Sequence, residues 1–263
     1  MLAHQRQELL LARATAHGAV RVVDVAAELD VSEMTVRRDI AALAEAGLLR
    51  RVHGGAVPAR PTALEPTFTA KTELAREAKT AIARAAADLV GPGASVALSA
   101  GTTTHLCALE LAARGRSDLT VVTNSAPVAE AFGSAPGDRP EVVLTGGSLT
   151  PSRALVGPLA VTALASLRVD ILLLGVHGLD ADAGLTTPNL LEAETNRALV
   201  RSAGRVVVVT DSSSWGTVGL GRFGSLDDID ALVTDENLPD SARAAVHDAG
   251  VHLTLVPTTK EAR

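Results

Sequence analysis

The chain has 263 residues, of which 47% are hydrophobic, and a formal net charge of −6. This length allows a small domain and a larger one, each with its own core. The apolar residues come in blocks far shorter than the roughly 18 residues of a membrane span, and the N-terminal stretch mixes charges with leucines, unlike a secretory signal. A single cysteine, Cys107, excludes an internal disulfide, and no Cys/His spacing is typical of a zinc site. We therefore expect a cytoplasmic protein without a metal, another cofactor or a membrane partner.

The net charge is divided unevenly along the chain. Residues 1–60 contain 8 Arg and 7 Asp or Glu (8 − 7 = +1), whereas residues 61–263 contain 16 Lys or Arg and 23 Asp or Glu (16 − 23 = −7). A small nucleic-acid-binding unit at the N-terminus is compatible with this division if individual arginines make the contacts. With three Phe, one Trp and no Tyr, an aromatic platform for unpaired bases is not expected.

Three helices are predicted in the first part of the chain. The first covers residues 2–14, with leucines among polar residues, and the second covers residues 21–30, with apolar residues three and four apart. The third follows Ser32, the expected N-cap, and stops at Gly47. Its apolar stripe leaves three polar side chains largely off the buried face: Thr35, Arg37 and Arg38.

A short helix, a tight turn and a second helix form the helix-turn-helix arrangement, in which early residues of the second helix enter the major groove. Arginine pairs bidentately with guanine or phosphate, and threonine contacts phosphate or the thymine methyl. The following segment "LLRRVHGGAV" predicts two extended pieces around a turn at His53 and Gly54, which would form a β-wing. The alternative is a three-helix bundle whose arginines are simply solvated.

The stretch "VSEMTVRRDIAALAEAGLLRRVHGGAV" resembles the N-terminal signature of the DeoR family of bacterial transcriptional regulators. In that signature, a VS-x-x-T-[IV]-RRD-[LI] recognition helix precedes a wing ending in GGA. The resemblance implies a winged helix-turn-helix that binds double-stranded operator DNA through Ser32, Thr35, Arg37, Arg38, Arg51, His53 and Gly54. A protein-interaction module that no longer bound DNA would be expected to lack the two adjacent arginines, and both are present.

A proline-rich linker is predicted at residues 58–70, because each proline removes an amide donor and disfavours helix in the preceding residue. It divides the DNA-binding domain, residues 1–57, from a larger domain, residues 71–257. In the larger domain, continuous apolar blocks alternate with helical segments, which indicates an α/β fold with a mainly parallel sheet covered on both faces. Seven strands are predicted at "SVALS", "LTVVTN", "EVVLTGG", "VDILLLGV", "RVVVVTD", "DALVTD" and "VHLTLV".

Polar loops follow several of these strands, where ligands bind in such folds. "SAGTTTH" follows the first strand and begins a helix, so the amides and hydroxyls of residues 101–104 and the helix dipole would face an anion. "TNSAP" follows the second strand and "TGGSL" the third. Helix capping explains one such loop equally well, but several loops at one edge of a sheet predict a binding site.

This part of the chain resembles the DeoR-type effector domain, related in fold to ribose-phosphate isomerase and the coenzyme A transferases. The resemblance implies an effector that is a phosphorylated sugar or a related metabolite. The candidate effector-binding residues are Gly101, Thr102, Thr103, Thr104, Thr123, Asn124, Ser125, Gly146 and Gly147, with Asp211 near the pocket.

Three positions depart from the family pattern. Many relatives have Asp in place of Ser99, and Lys in place of Asn196 and Ser214. The chain has only three lysines against 21 arginines, but this composition does not explain a serine at position 214. If that lysine normally faces the ligand, the effector is less anionic, or Arg153 or His177 supplies the contact. Alternatively, position 214 is a loop residue of little consequence and His177 is structural.

An aldose–ketose isomerase is the alternative function, because the larger domain resembles that fold. Isomerisation needs a base beside a carbonyl and a group that stabilises the enediolate. With serines at positions 99 and 214, Asp211 and Glu192 have no evident cationic partner in the sequence. We therefore expect a regulator and not an enzyme. A homodimer or homotetramer would bind operator half-sites, and the effector would change operator affinity.

Overall fold

The computed structural model describes residues 3–17, 19–45, 48–52, 54–58, 68, 72, 75–134 and 137–258. The chain divides into two compact units, Met1–Leu64 and Glu65–Arg263. Among the described helices, none has the length and apolar character needed to cross a membrane.

The N-terminal unit consists of three helices and a small antiparallel sheet. Its elements are α1 (Ala3–His17), β1 (Val20–Arg21), α2 (Val22–Leu29), α3 (Glu33–Glu45), β2 (Leu49–Val52) and β3 (Gly55–Pro58). The strand order is β1-β3-β2, so the β2–β3 hairpin is a wing attached to the helices through β1. The three predicted helices and the predicted wing are present, although α1 continues three residues beyond its predicted end. Strand β3 ends at Pro58, the first residue of the predicted linker.

Local sequence explains where α3 begins and which face it buries. The Ser32 hydroxyl accepts the Thr35 amide at 3.2 Å, as expected of an N-cap. Val36, Ile40 and Leu43 are buried, where they pack with Leu10 of α1 and with other apolar residues of the unit. The predicted C-terminal stop, Gly47, lies outside the described residues.

The C-terminal unit contains six helices and twelve strands in its described residues. The helices are α4 (Arg76–Ala87), α5 (Thr102–Ala113), α6 (Ala126–Gly133), α7 (Pro158–Ala165), α8 (Leu190–Ser202) and α9 (Asp240–Asp248). The strands are β4 (Ser95–Leu98), β5 (Thr120–Thr123), β6 (Glu141–Leu144), β7 (Ser148–Leu149), β8 (Leu155–Val156), β9 (Ile171–Leu174), β10 (Gly178–Asp180), β11 (Gly184–Thr187), β12 (Val206–Val209), β13 (Gly221–Gly224), β14 (Ala231–Asp235) and β15 (His252–Val256).

Seven of these strands form one sheet in the order β15-β14-β12-β9-β4-β5-β6, and every neighbouring pair is parallel. They are the seven predicted strands. Successive residues of β9 belong alternately to two apolar cores, with Leu173 in one and Leu172 in the other. Helices α4, α5 and α6 contribute to the first core, and α7, α8 and α9 to the second. The sheet is therefore covered on both faces, as the continuous apolar blocks predicted.

Two smaller sheets do not appear in the prediction. Strands β10, β11 and β13 form an antiparallel sheet, and β7 and β8 form a hairpin. These strands have only two to four residues, and β10, β11 and β13 are rich in glycine and threonine, so the sequence resembles loops. Glycine is required where backbones approach closely: a Cβ on Gly178 would lie 2.1 Å from the Thr217 carbonyl oxygen.

The order of the large sheet reverses between β4 and β9. The chain runs outward from β4 to β5 and β6, then returns to β9 and continues outward on the other side. Such a switch point leaves a crevice at the carboxyl ends of the two central strands. Ser99 after β4 and Gly175 after β9 meet here, because the Ser99 hydroxyl accepts the Gly175 amide at 2.9 Å.

Candidate nucleic-acid interface and anion site

Helix α3 has two arginines away from its buried face, Arg38 opposite the core and Arg37 at the side. The Arg37 guanidinium pairs with the Glu33 carboxylate one turn earlier, at 3.0 Å, and both side chains are about half exposed. Such an exposed pair is weak and leaves Arg37 free to exchange partners. Arg38 is exposed and forms no ion pair within the described part of the chain. The predicted recognition helix therefore has two cations available for phosphate or guanine.

Asp39, beside these arginines in sequence, has a structural role that the sequence analysis missed. It is 4% exposed, and it accepts hydrogen bonds from Arg6 Nη2 at 3.1 Å and from Gln7 Nε2 at 3.4 Å. The hydrogen bond to Asp39 raises the pKa of Arg6 above its usual value. Asp39 thus holds α1 against α3 and fixes the orientation of the exposed arginines. The available signal was a carboxylate three residues after the buried Val36, at the edge of the apolar stripe.

Arg51 of the wing is exposed and is paired with Ala56 in the β2–β3 register. Gly54 has φ +78°, in the left-handed region, and its carbonyl accepts the Val22 amide at 2.8 Å. A Cβ on Gly55 would lie 2.0 Å from the Val20 carbonyl oxygen, so only glycine fits beside β1. The two glycines therefore attach the wing to the helices. His53 lies outside the described residues.

In the C-terminal unit, hydrogen bonds join the loops that follow β4, β5 and β6. Asn124 accepts the Ala100 amide at 2.9 Å and donates to the Leu155 carbonyl at 3.1 Å. The Thr123 hydroxyl donates to the Leu98 carbonyl at 2.7 Å, and the Thr123 carbonyl accepts the Thr145 amide at 3.0 Å. The structure therefore brings the three predicted loops together at one edge of the sheet.

The start of α5 has the properties of an anion site. The first amides of a helix have no intrahelical acceptor, and the helix dipole adds positive potential there. Thr102 and Thr103 are 8% and 6% exposed, and neither hydroxyl has a hydrogen-bond partner among the described residues. The Thr104 hydroxyl, by contrast, donates to the Gly101 carbonyl at 3.0 Å. Amides and two unpartnered hydroxyls thus lie together, a combination that binds phosphate or carboxylate.

The other predicted loop residues mainly shape this edge. Ser125 caps α6 by accepting the Val128 amide at 3.4 Å. Gly146 and Gly147 have φ values of +71° and +124°, and a Cβ on Gly147 would lie 2.5 Å from the Val156 carbonyl oxygen. Both glycines are therefore needed for the chain to turn from β6 into the β7–β8 hairpin.

Asp211 lies apart from these loops. It follows β12, which is two strands from β4, a separation of roughly 10 Å at ordinary strand spacing. Its Oδ2 is 3.7 Å from Lys79 Nζ of α4, and both side chains are buried. The interpretation that Asp211 lacks a cationic partner is therefore wrong. Burial lowers the pKa of Lys79, and the Asp211 charge partly opposes this shift. Lys79 was missed because lysines on amphipathic helices are usually solvated.

An open cleft of about 470 Å³ adjoins Asp211 at the carboxyl ends of β12 and β14, where Arg76, Glu77 and Asp235 also line it. Asp235 is 1% exposed and accepts the Ser212 amide at 2.7 Å and the Asn237 amide at 3.1 Å. The Asp211 and Asp235 carboxylates of the cleft already have ionic or hydrogen-bond partners, and together with Glu77 they would repel an anion. The cleft is therefore a poorer anion site than the start of α5.

Several other residues from the sequence analysis have internal partners. Ser214 shares a hydrogen bond with Thr210 at 2.6 Å, and Arg153, at φ +61°, reaches Glu130 at 3.5 Å. The Glu192 carboxylate accepts hydroxyl hydrogen bonds from Thr150 at 3.2 Å and Thr187 at 2.8 Å. Asn196 in α8 and His177 after β9 are half-buried. The Glu192 carboxylate, which accepts these two hydroxyl hydrogen bonds, is not arranged as a general base.

Comparisons with known proteins identify both units. A family model described as "DeoR-like helix-turn-helix domain" matches residues 6–62, and "DeoR C terminal sensor domain" matches residues 74–236. The chain is 35% identical over 255 residues to a putative aga operon transcriptional repressor of Escherichia coli O157:H7, covering 96% of this chain and 93% of the relative. It is 36% identical over 254 residues to the HTH-type transcriptional regulator GlpR of Haloferax volcanii, covering 95% and 97%.

Among solved structures, ribose 5-phosphate isomerase A from Methanocaldococcus jannaschii is similar over 52% of this chain and 53% of its own, with 19% identity and a TM-score of 0.39. This distant likeness gives no ground for an enzyme activity, whereas both sequence relatives are transcriptional regulators. The winged helix-turn-helix and the parallel α/β unit each match their part of one family. The chain belongs to the DeoR family of transcriptional regulators.

Proposed function

We propose that the protein is a cytoplasmic repressor of a carbohydrate-metabolism operon and that a phosphorylated sugar or a related metabolite controls its affinity for operator DNA. The observation that carries the DNA-binding part is the pair of exposed arginines, Arg37 and Arg38, on the outer side of α3. Arg51 on the wing supplies a further cation beside the groove. The name of the Escherichia coli relative supports the direction of regulation, repression.

The start of α5 is the proposed effector site. Two hydroxyls without partners, on the almost buried residues Thr102 and Thr103, lie where free helix amides attract an anion. The phosphate of the effector would bind there, and Gly146 and Gly147 would leave room for the rest of the molecule. Thr104, Thr123, Asn124 and Ser125 hold the loops in place through internal hydrogen bonds.

Regulation follows if the effector binds two states of the repressor with different affinities. Operator affinity then changes by the same factor that separates the two effector affinities. A homodimer or homotetramer would present a winged helix to each half-site of a palindromic operator.

A gel-shift titration tests this function. The probe is DNA upstream of the protein's own gene, and the titrants are sugar phosphates and the same sugars without phosphate. We expect the full-length chain to shift the probe, Arg37→Ala/Arg38→Ala to lose the shift, and a sugar phosphate to release the DNA. Arg13→Ala, on α1, is the control and keeps the shift. Equal shifts for wild type and the double variant would refute DNA reading by α3, and release by unphosphorylated sugars alone would refute the phosphate site.

A further inference from the structure

In the first two turns of α3, helix geometry distinguishes two residues at the centre of the outer face from two at its sides. With about 100° of rotation per residue, Val36, Ile40 and Leu43 point in one mean direction. Met34 and Arg38 point roughly opposite to it and are separated by roughly 40° around the axis. Arg37 and Thr35 lie to either side, each about 100° from the core direction. At the start of α3, the centre of the outer face therefore consists of one apolar and one cationic side chain.

Met34 is unusual in its setting. Its side chain is 65% exposed, more than any other large hydrophobic residue of the described N-terminal unit. Isolated exposed hydrophobics are common on protein surfaces, and exposure alone means little. Here, however, the exposed methionine is in the first turn of α3, on the face opposite the core and one turn before Arg38. The early residues of a recognition helix are those that contact base edges.

We propose that Met34 is a specificity-determining residue that contacts the 5-methyl group of a thymine in the major groove, and that Arg38 reads a guanine nearby. This inference rests on the proposed function. Apolar side chains contact the thymine methyl, and arginine pairs bidentately with guanine O6 and N7. The flexible, unbranched Met side chain adapts to such a contact. Arg37, at the side of the helix and paired with Glu33, faces phosphate.

The spacing on the helix limits where the two bases lie. Side chains four residues apart have Cβ atoms about 5–6 Å apart, and base pairs are stacked at about 3.4 Å. The thymine therefore lies within about two base pairs of the guanine in each half-site.

Base analogues test this contact. Duplexes that bind the full-length protein are selected from a random library, and each thymine is then replaced by uracil, which lacks the methyl group and keeps every hydrogen-bonding group. Dissociation constants are measured by fluorescence anisotropy for wild type, Met34→Ala and the control Val23→Ala, which shortens an exposed side chain on α2. We expect one thymine per half-site at which uracil weakens wild type and Val23→Ala about fourfold and leaves Met34→Ala unchanged.

The position of that thymine is tested in the same duplex. Replacing a guanine within two base pairs by 7-deazaguanine, which removes N7, should weaken binding by wild type and have no effect on Arg38→Ala. The methyl contact is overturned if uracil at every thymine leaves binding by wild type unchanged, or if uracil weakens binding by Met34→Ala as much as by wild type. In either case the DNA-binding function stands. If the selection yields no preferred sequence, the proposed function fails and the contact fails with it.

Discussion

Lys79 and Asp211 form an ion pair in which both side chains are buried, with 3.7 Å between Nζ and Oδ2. Arg243 and Asp240 are also 3.7 Å apart, but Asp240 is 98% exposed. The two pairs match in distance and differ in burial. Removing one partner from a buried pair leaves an uncompensated charge away from water, whereas an exposed charge is solvated.

Substituting Asp211 should therefore destabilise the C-terminal unit. We expect Asp211→Asn to lower the free energy of unfolding by about 3 kcal/mol or more, because the buried Lys79 loses the negative charge of Asp211. Asp240→Asn, the matched exposed control, should cost less than about 1 kcal/mol. Urea unfolding followed by circular dichroism measures both. Equal losses for the two variants would show that burial does not decide the energy of the pair.

The contribution of Lys79 to stability should rise with pH in the alkaline range. Burial lowers the folded-state pKa of Lys79 below its ordinary value of 10.5. Between the folded-state pKa and 10.5, the unfolded chain binds more protons than the folded one, so stability rises with pH and then levels off. In Asp211→Asn, the opposing carboxylate charge is lost, so the rise should begin at lower pH. Unfolding free energies measured up to pH 10 test this, and a Lys79→Met variant should lack the rise due to this residue.

The sequence was informative about repeating patterns and less so about pairs of distant residues. Six of the seven strands of the large sheet contain a continuous apolar block, whereas polar and apolar residues alternate in β15. The wing could be predicted from two adjacent glycines. The grouping of Thr102, Asn124 and Gly146 also follows, since parallel strands end at one edge of a sheet. The separation of Asp211 from that group depends on strand order, and its pairing with Lys79 depends on which face α4 buries. Neither property is encoded in local spacing.

Cys107 should be inert in the folded protein. Cys107 is a residue of α5 and is fully buried in the core of the C-terminal unit. Burial raises the pKa of its thiol to about 12. Because the thiolate is the reactive form, modification by iodoacetamide at pH 8 should be at least about 10³-fold slower in the native state than in denaturing urea. Mass spectrometry of this single cysteine follows the reaction directly. Rapid labelling under native conditions would contradict the packing of this core.

The threonines at the start of α5 should separate effector binding from stability. Valine matches threonine in shape and lacks the hydroxyl. Thr102→Val and Thr103→Val should leave the free energy of unfolding within about 0.5 kcal/mol of wild type, while more effector is needed to release the operator. Thr104→Val, the control, removes a hydroxyl that donates to Gly101 and should cost about 1 kcal/mol. If Thr102→Val is less stable but releases the operator at the same effector concentration as wild type, the Thr102 hydroxyl stabilises the fold and does not bind the effector.

Substitutions of Arg37 and Glu33 should change the affinity for DNA in opposite directions. Each phosphate contact contributes about 0.9 to the slope of log affinity against log salt. Arg37→Ala should reduce the slope by about that amount for each bound half-site and weaken binding to all duplexes alike, because phosphates carry no sequence information. Glu33→Gln removes the carboxylate that holds Arg37 at 3.0 Å and lies near the DNA, so affinity should rise on every duplex. Anisotropy titrations over a range of salt concentrations, with operator and scrambled DNA, measure both effects. If Arg37→Ala weakens binding to the operator and not to scrambled DNA, Arg37 contacts a base instead of a phosphate.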